Sequence, residues 1–125
     1  MIIGIGVDVI EIQRVREILE RQRDRFRNRV FTAAEQKYCD AHRDPAPHFA
    51  VRFAAKEALF KALGTGWSGG IRWTDAEVSR AAGQAPTLLL HGAAARVGSA
   101  RGARVLHVTL SHSRDSAIAM VLIES

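Results

Sequence analysis

The sequence has 125 residues, of which 47% are hydrophobic and 25% charged, a composition typical of one globular domain. Lys and Arg total 18 against 13 Asp and Glu, so the formal net charge is +5. A basic balance favours an anionic partner, but charge alone does not choose among nucleic acid, a membrane surface, a phosphorylated small molecule and an acidic protein. Cys39 is the only cysteine, which excludes an intramolecular disulfide and a thiolate metal cluster.

The first residues, MIIGIGVDVIEI, are predicted to be neither a signal peptide nor a membrane span. No basic segment precedes the apolar run, and Asp8 and Glu11 interrupt it. We therefore expect a soluble, cytoplasmic protein.

Alternating residue types predict a strand over residues 2–9. One face would carry Ile3, Ile5, Val7 and Val9, and the other Gly4, Gly6 and Asp8. A face without bulk either packs closely against another backbone or admits a ligand. Asp8 at its end is therefore a candidate ligand for a hard cation, or a cap for the following helix.

From Glu11 onward the period becomes helical, with Ile12, Val15, Leu19, Gln22 and Phe26 at helix spacing. A capping box at Thr32 and Glu35 opens a second helix that is expected to end near His42. The strongest helix prediction covers His48–Leu63, with Gly64 as its left-handed C-terminal cap. Further strands are predicted over 73–79, 87–91, 105–111 and 116–123, and a short helix over 93–100. Together they predict one α+β domain, residues 1–125, in which a mostly antiparallel sheet packs with a long central helix.

The predicted long helix carries four charged residues, Arg52, Lys56, Glu57 and Lys61. Glu57 and Lys61 are four residues apart and could form an ordinary surface ion pair. Much of the helix circumference is apolar, however, so some of these charges must lie near the core or an interface. Buried charges require partners or a metal.

Two short polar segments are candidates for phosphate binding. Gly64-Thr65-Gly66 could offer backbone N–H groups, although it lacks the Gly-Lys-Ser/Thr of a P-loop, and a plain turn is an equal alternative. Ser111 and His112 precede a predicted turn; they are too close in sequence for a catalytic triad, but the histidine could donate to a phosphate. A plain polar turn is again the alternative.

Seven arginines lie between Arg14 and Arg29. A nucleic-acid-binding stripe is possible, but no aromatic residues interleave with it and no nucleic-acid motif is present. The segment also lacks the wide apolar face of a membrane-lying helix. An acidic protein suits it at least as well.

Taken together, these segments resemble the bacterial holo-acyl-carrier-protein synthases, the small trimeric type of the 4′-phosphopantetheinyl transferase superfamily. The matching blocks, in order, are GIGVDVIEIQR (Gly4–Arg14), RVFTAAE (Arg29–Glu35), RFAAKEALFKALGTG (Arg52–Gly66), GQAPTLLLHG (Gly83–Gly92) and LSHSRDSAIA (Leu110–Ala119). They span nearly the whole chain.

The resemblance implies Mg²⁺-dependent transfer of 4′-phosphopantetheine from coenzyme A to a serine of an acyl carrier protein, within fatty acid biosynthesis. Asp8 and Glu57 would bind Mg²⁺, and Lys61 would stabilise charge at the attacked phosphorus. Glu57, or a metal-bound water oriented by Asp8, would accept the serine proton. The nucleotide would be held by Arg52, Gly64, Thr65, Gly66, Ser111 and His112, with His112 near the 3′-phosphate.

The resemblance also implies partners. Arg14, Arg21 and Arg25 would face the acidic acyl carrier protein, and three subunits would form a homotrimer with interfacial active sites. Neither nucleic acid nor a membrane would be a partner. The alternatives are a non-enzymatic basic module that binds nucleic acid, and a transferase fold retained only as a partner-binding subunit.

Overall fold

A computed structural model describes residues 1–66 and 69–125. Five strands and five helices follow one another in the described part of the chain: β1 (Ile2–Glu11), α1 (Ile12–Gln22), α2 (Asp24–Val30), α3 (Ala33–Asp40), α4 (Ala46–Leu63), β2 (Ala76–Ser79), β3 (Thr87–Leu90), α5 (Gly92–Ala100), β4 (Val105–His112) and β5 (Ser116–Glu124). Every strand pairing is antiparallel, and the predicted α+β class is confirmed.

The strands form a three-stranded sheet in the order β1-β5-β4 and a separate β2-β3 ribbon. In the larger sheet Asp8 lies opposite Ala119, and Leu110 lies opposite the same alanine from the other side. This register places Gly4, Gly6 and Asp8 of β1 on one face together with His112 at the end of β4.

Helix α4 covers that face of the larger sheet and contacts both β1 and β5. The helix is apolar around most of its circumference, as expected of a helix buried on several sides. A Cβ atom added to Gly6 would lie 2.0 Å from the carbonyl oxygen of Ala58, and one added to Gly4 would lie 2.2 Å from that of Ala62. The two glycines therefore allow the backbones of β1 and α4 to touch. Of the two alternatives for this face, close packing against another backbone is the one that the structure shows at Gly4 and Gly6.

The opposite face of the sheet is apolar and exposed. Its large side chains are 40–61% exposed and include Ile3, Ile5, Val7 and Val9 of β1, Val105 of β4, and Ile118 and Met120 of β5. The alternation predicted for β1 is confirmed, but its apolar side faces away from α4. A contiguous apolar surface of this kind is typical of a protein–protein interface.

The arginine-rich segment forms two helices, so the prediction of continuous helical spacing from Ile12 to Phe26 is wrong. Arg23 separates α1 from α2 with φ of 51°, a conformation that an L-residue rarely adopts. The break lets Phe26 pack edge-on against Phe31 and Phe53, each with ring centroids 5.7 Å apart. Gln22 is exposed.

The strand predicted over 73–79 is shorter than expected, because Trp73–Asp75 forms a 3₁₀ turn before β2 begins.

The capping box is confirmed: Glu35 N–H donates to Thr32 Oγ1 at 3.2 Å, and Thr32 N–H donates to Glu35 Oε1 at 2.9 Å. Gly64 closes α4 with φ of 74°. In the part of the chain that the structure describes, no helix is both long and apolar enough to cross a membrane.

A fully buried ion pair joins α3, α4 and β2. Lys56 Nζ donates to Glu35 Oε1 at 2.8 Å and also to the carbonyl oxygens of Trp73 and Ala76. The second carboxylate oxygen of Glu35 accepts the backbone N–H of Val78 at 2.9 Å. Because both charges are saturated with hydrogen bonds, the pair can remain in a dry interior.

Candidate active site

Asp8 and Lys61 meet where β1 crosses α4. Asp8 is on the helix-facing side of β1 because it shares the parity of Gly4 and Gly6, and the close approach at those glycines brings α4 within reach. Lys61 Nζ donates to Asp8 Oδ1 at 2.8 Å and to the carbonyl oxygen of Val7 at 3.2 Å. The hydrogen bond to Asp8 raises the pKa of Lys61, so the ammonium stays charged. The i, i+4 spacing allowed an ion pair between Glu57 and Lys61, but the hydrogen-bonded partner of Lys61 is Asp8 on the strand.

Glu57 lies one helical turn before Lys61 and is partly buried. Its pKa is raised by burial first and by the negative charge of Asp8 second, while Lys61 and Arg14 act in the opposite direction. Asp8, Lys61 and Arg14 thus all lie close enough to Glu57 to act on its charge. Two carboxylates and two cations therefore converge at the edge of the sheet.

This cluster fits a magnesium ion. Burial and the mutual repulsion of two carboxylates destabilise a double negative charge, and a divalent cation would relieve both. Across residues 1–66 and 69–125, no group of three or more His, Cys, Asp or Glu side chains could hold a metal ion. A cation at Asp8 and Glu57 would thus have two protein ligands, both oxygens. Magnesium suits that donor set, because it keeps several waters and is completed by substrate phosphates.

A second group of site residues lies on the other side of α4. Arg52 is 2% exposed, and its guanidinium lies 4.1 Å from the centre of the Tyr38 ring. Its Nη1 donates to the carbonyl oxygen of His48 at 3.2 Å, whereas Nε and Nη2 are buried without a hydrogen-bond partner. His48 links this arginine to His112, since the two imidazole centroids are 5.9 Å apart. His48 therefore lies close to both Arg52 and His112.

The remaining nucleotide-binding candidates lie at element ends. Gly64, Thr65 and Gly66 follow the last turn of α4, where Gly64 and Gly66 both have positive φ. Arg101, the residue that follows α5, donates to the carbonyl oxygen of Leu63 beside them. Ser111 is exposed near the end of β4, immediately before His112.

Two of the seven arginines between Arg14 and Arg29 form ion pairs with side chains outside α1 and α2. Arg16 makes a two-pronged ion pair with Asp44, at 2.7 and 3.1 Å, and Arg27 pairs with Asp40. Those two arginines tie the helices to neighbouring segments. Three others, Arg14 and Arg21 on α1 and Arg25 on α2, are exposed, and Arg14 is close enough to act on the charge of Glu57.

Sequence reasoning missed the partner of Lys56 and the histidines around Arg52. From the sequence, Glu35 is predicted only as a capping-box residue. The signal for its second role is Lys56, a charged residue on a largely apolar helix, which requires a partner when it is buried. Cys39 is fully buried, and burial raises the pKa of its thiol to about 12, so it is a packing residue. His91 Nε2–H donates to Glu77 at 2.9 Å, at the end of β3.

Comparisons with known proteins identify the family of this chain. The family model described as "4′-phosphopantetheinyl transferase superfamily" matches residues 4–120. A holo-[acyl-carrier-protein] synthase of Syntrophotalea carbinolica is 50% identical, covering 97% of this chain and 94% of the relative. A protein of the same name from Koribacter versatilis is 44% identical over 99% of both chains.

Solved structures give the same result. A holo-[acyl-carrier-protein] synthase of Neisseria meningitidis has a TM-score of 0.90 at 28% identity and covers both chains fully. One from Bacillus anthracis, in complex with CoA (3′,5′-ADP), has a TM-score of 0.81 at 33% identity, with coverage of 100% and 98%. The chain belongs to the 4′-phosphopantetheinyl transferase superfamily. Within that superfamily, it is similar over its full length to the holo-[acyl-carrier-protein] synthases.

Proposed function

We propose that the protein transfers 4′-phosphopantetheine from coenzyme A to a serine of an apo acyl carrier protein and releases adenosine 3′,5′-bisphosphate. The observation that carries this proposal is the convergence of Asp8, Glu57 and Lys61 in a chain that is similar throughout its length to holo-[acyl-carrier-protein] synthases. Several such relatives were solved with coenzyme A.

In the proposed reaction the serine oxygen forms a bond to the phosphorus that bears the pantetheine arm. The bond from that phosphorus to the oxygen of adenosine 3′,5′-bisphosphate breaks, and the serine proton is transferred to a base. Lys61 is fixed by Asp8 and Val7, so its ammonium is oriented before substrate arrives and can stabilise charge on the phosphoryl oxygens. Glu57, whose raised pKa suits a proton acceptor, or a water oriented by Asp8 would take the serine proton.

Mg²⁺ is part of this proposal, with Asp8 and Glu57 as its protein ligands. When bound, it would neutralise charge on the pyrophosphate of coenzyme A and on the departing phosphate. The cytoplasm is the proposed location, where a free buried thiol such as that of Cys39 persists without a disulfide partner.

The nucleotide-binding role of Arg52, Gly64, Thr65, Gly66, Ser111 and His112 also belongs to the proposal. Arg52 and Glu57 are five residues apart on α4, which places them about 140° apart around the helix axis. Asp8 is on β1 and His112 on β4, the two outer strands of the sheet. A single substrate molecule that contacts both the carboxylate cluster at Asp8 and the group around Arg52 and His112 would therefore bind between two subunits. Each subunit would contribute one of the two groups.

A homotrimer with interfacial active sites fits this division. The exposed apolar face formed by β1, β5 and β4 is a surface that assembly would bury. Val7 and Val9 of that face flank Asp8 in sequence, so a subunit packed there would lie across β1 from the carboxylate cluster. Light scattering should show that Ile5→Lys lowers the assembled mass, whereas Gln84→Lys in the exposed turn leaves it unchanged. An unchanged mass for Ile5→Lys would place the interface elsewhere.

An acidic carrier protein is the proposed partner of the exposed arginines Arg14, Arg21 and Arg25. Opposite charge across an interface speeds encounter and fixes orientation. Since Arg14 acts on the charge of Glu57, a carrier docked on α1 would present its serine near the reacting phosphate.

The direct test is incubation with coenzyme A, Mg²⁺ and an apo acyl carrier protein, followed by intact mass measurement of the carrier. A mass gain equal to one phosphopantetheine arm is expected. Asp8→Asn and Glu57→Gln should reduce the initial rate at limiting Mg²⁺ by about 100-fold or more, with an unchanged circular dichroism spectrum. Asp115→Asn, an exposed acid near the last turn, is the matched control. Near-normal turnover of either site variant would refute the metal assignment, and no mass gain with the unmodified protein would refute the activity.

A further inference from the structure

Arg101 reaches from the end of one helix to the end of another. Its backbone N–H donates to the carbonyl oxygens of Val97 and Gly98 at 3.1 and 3.2 Å, and Gly102 follows with φ of 82°. These contacts fix the backbone of Arg101 at the C-terminus of α5. Its side chain crosses to the C-terminus of α4, where Nη1 donates to the carbonyl oxygen of Leu63. Arg101 has no role in the mechanism above.

The guanidinium of Arg101 also packs against Gly64, the left-handed cap of α4. A Cβ atom added to Gly64 would lie 3.1 Å from Nη1 of Arg101. Arg101 therefore lies against the first residue of Gly64-Thr65-Gly66, the segment proposed above to hold part of the nucleotide. Within residues 1–66 and 69–125, no carboxylate forms an ion pair with Arg101. No acid in this part of the chain therefore neutralises its charge.

The place of that segment in the fold is electrostatically unfavourable for an anion. Anions bind readily at the N-terminus of a helix, where backbone N–H groups and the macrodipole attract them. Gly64-Thr65-Gly66 instead follows the C-terminus of α4, an 18-residue helix. The last carbonyl groups and the negative end of the dipole would repel a phosphate there. A cation at this end of the helix would remove the repulsion.

The two cations near the end of α4 differ in their partners. Lys61 lies in the last turn, but its ammonium is held by the carboxylate of Asp8 and the carbonyl oxygen of Val7 on β1. Arg101 is bound to a helix carbonyl, which carries only a partial charge. Arg101 is therefore the cation that can offset the negative end of α4.

We propose that Arg101 is a positioning residue for the pyrophosphate of coenzyme A: it caps α4 and neutralises the negative end of that helix, so that Gly64-Thr65-Gly66 can hold a phosphate. Coenzyme A is the substrate in the proposed function, on which this role of Arg101 rests. Arg101 lies outside the five segments that carry the family resemblance, between Gly92 and Leu110, so the resemblance assigns it no role.

The fold indicates which phosphate is concerned. The pyrophosphate contains the bond that breaks beside Lys61, and Gly64-Thr65-Gly66 begins three residues after Lys61 in the chain. Adenosine 3′,5′-bisphosphate keeps one phosphate of that pyrophosphate, as its 5′-phosphate, whereas adenosine 3′-monophosphate lacks it. A residue that acts on the pyrophosphate should therefore affect the binding of the bisphosphate and spare that of the monophosphate.

Titration calorimetry with coenzyme A, adenosine 3′,5′-bisphosphate and adenosine 3′-monophosphate tests this role. We expect Arg101→Met to weaken binding of the first two ligands about five- to tenfold, and that of the third by less than about twofold. Arg101→Gln keeps a donor for the Leu63 carbonyl but no charge, and should behave like Arg101→Met. Arg101→Lys keeps the charge, and should remain within about twofold of the unmodified protein for all three ligands.

Kinetics and salt dependence provide a second measurement. In the carrier-protein mass assay, Arg101→Met should raise the KM for coenzyme A by the same factor and leave the KM for the carrier unchanged. Added salt should weaken coenzyme A binding less in Arg101→Met than in the unmodified protein, because one charge has been removed. A change that only loosened the fold would not lower the salt dependence or spare the monophosphate.

Arg104→Met is the matched control, since Arg104 is exposed in the same connection between α5 and β4. Thermal unfolding checks the fold of each variant, and Arg101→Gln is the second uncharged variant if Arg101→Met unfolds. Equal weakening of all three ligands, unchanged affinities, or a glutamine variant that binds as tightly as the unmodified protein would overturn the role of Arg101. If the unmodified protein did not transfer the pantetheine arm, the proposed function itself would fail, which is a distinguishable result.

Discussion

Substituting Gly6 by alanine tests the contact that builds the active site. The added Cβ atom would lie 2.0 Å from the carbonyl oxygen of Ala58 and 3.0 Å from the backbone nitrogen of Ala62. Both atoms belong to the backbone of α4, so no side-chain rotation can relieve the clash. Favourable contact begins at about 3.5 Å, and the strand and helix must therefore separate by more than about 1 Å.

Two magnitudes follow from this displacement. Overpacking of this kind costs about 1–3 kcal/mol, and should lower Tm by about 4 °C for each kcal/mol. The shift also separates Asp8 on the strand from Glu57 and Lys61 on the helix, and misplacement by about 1 Å can cost about 100-fold in rate. Differential scanning calorimetry and the carrier-protein mass assay measure the two effects.

The control is Gly98→Ala in α5. Its Cβ atom would lie 3.0 Å from Cδ1 of Leu90, a side-chain atom that can move. Replacing a helical glycine by alanine is otherwise stabilising by up to about 0.5–1 kcal/mol, so Tm should stay constant or rise. If Gly6→Ala also kept its Tm and its turnover, β1 and α4 could not be in backbone contact, and the account of how Asp8 reaches Lys61 would be wrong.

Three further outcomes are expected. Lys56→Met should lower the free energy of unfolding by about 3–5 kcal/mol in urea titrations, because it leaves the charge of Glu35 buried without a counter-charge. Stability should also depend on His48, because burial lowers its pKa to about 4 in the fold from about 6.5 for an ordinary histidine. Its contribution is complete above about pH 6.5 and is lost as the pH falls towards about 4, by about 1–2 kcal/mol after allowance for solvent screening. Charge reversal at Arg14 and Arg21 together should raise the KM for the carrier protein about tenfold and flatten its dependence on salt.

Each of these outcomes has its own control. Glu35→Gln added to Lys56→Met should recover part of the lost stability, and no recovery would mean that packing, not charge, is the cause. His48→Gln should flatten the acid-side loss of stability, and a pH profile identical to that of the unmodified protein would contradict the role given to this histidine. Reversal at Arg80, exposed after β2, and at Arg96, exposed on α5, should leave the KM for the carrier unchanged.

Local signals in the sequence predicted most of the elements. The capping box at Thr32, the glycine cap at Gly64 and the period-two alternation of β1 are each confirmed, because such features depend on a few neighbouring residues. The break at Arg23 was not predicted. An arginine with positive φ has no local signature, and it is stabilised by the distant packing of Phe26 that the break permits.

The sequence identified the candidate site residues but not their arrangement in space. Asp8, Glu57 and Lys61 followed from the resemblance of the motifs, and the spacing on the helix also allowed Lys61 to pair with Glu57. Only the tertiary structure decides that it donates to Asp8, since that choice depends on how closely two backbones approach at Gly6.

By itself, the sequence determined the elements, the family resemblance and the residue types that suit magnesium and phosphate, because these are written in short segments. The tertiary structure decided which face of β1 meets α4, which acid neutralises Lys56, and which histidines surround Arg52. Those are contacts between residues far apart in the chain, and a buried charge selects its partner by geometry that no local pattern records.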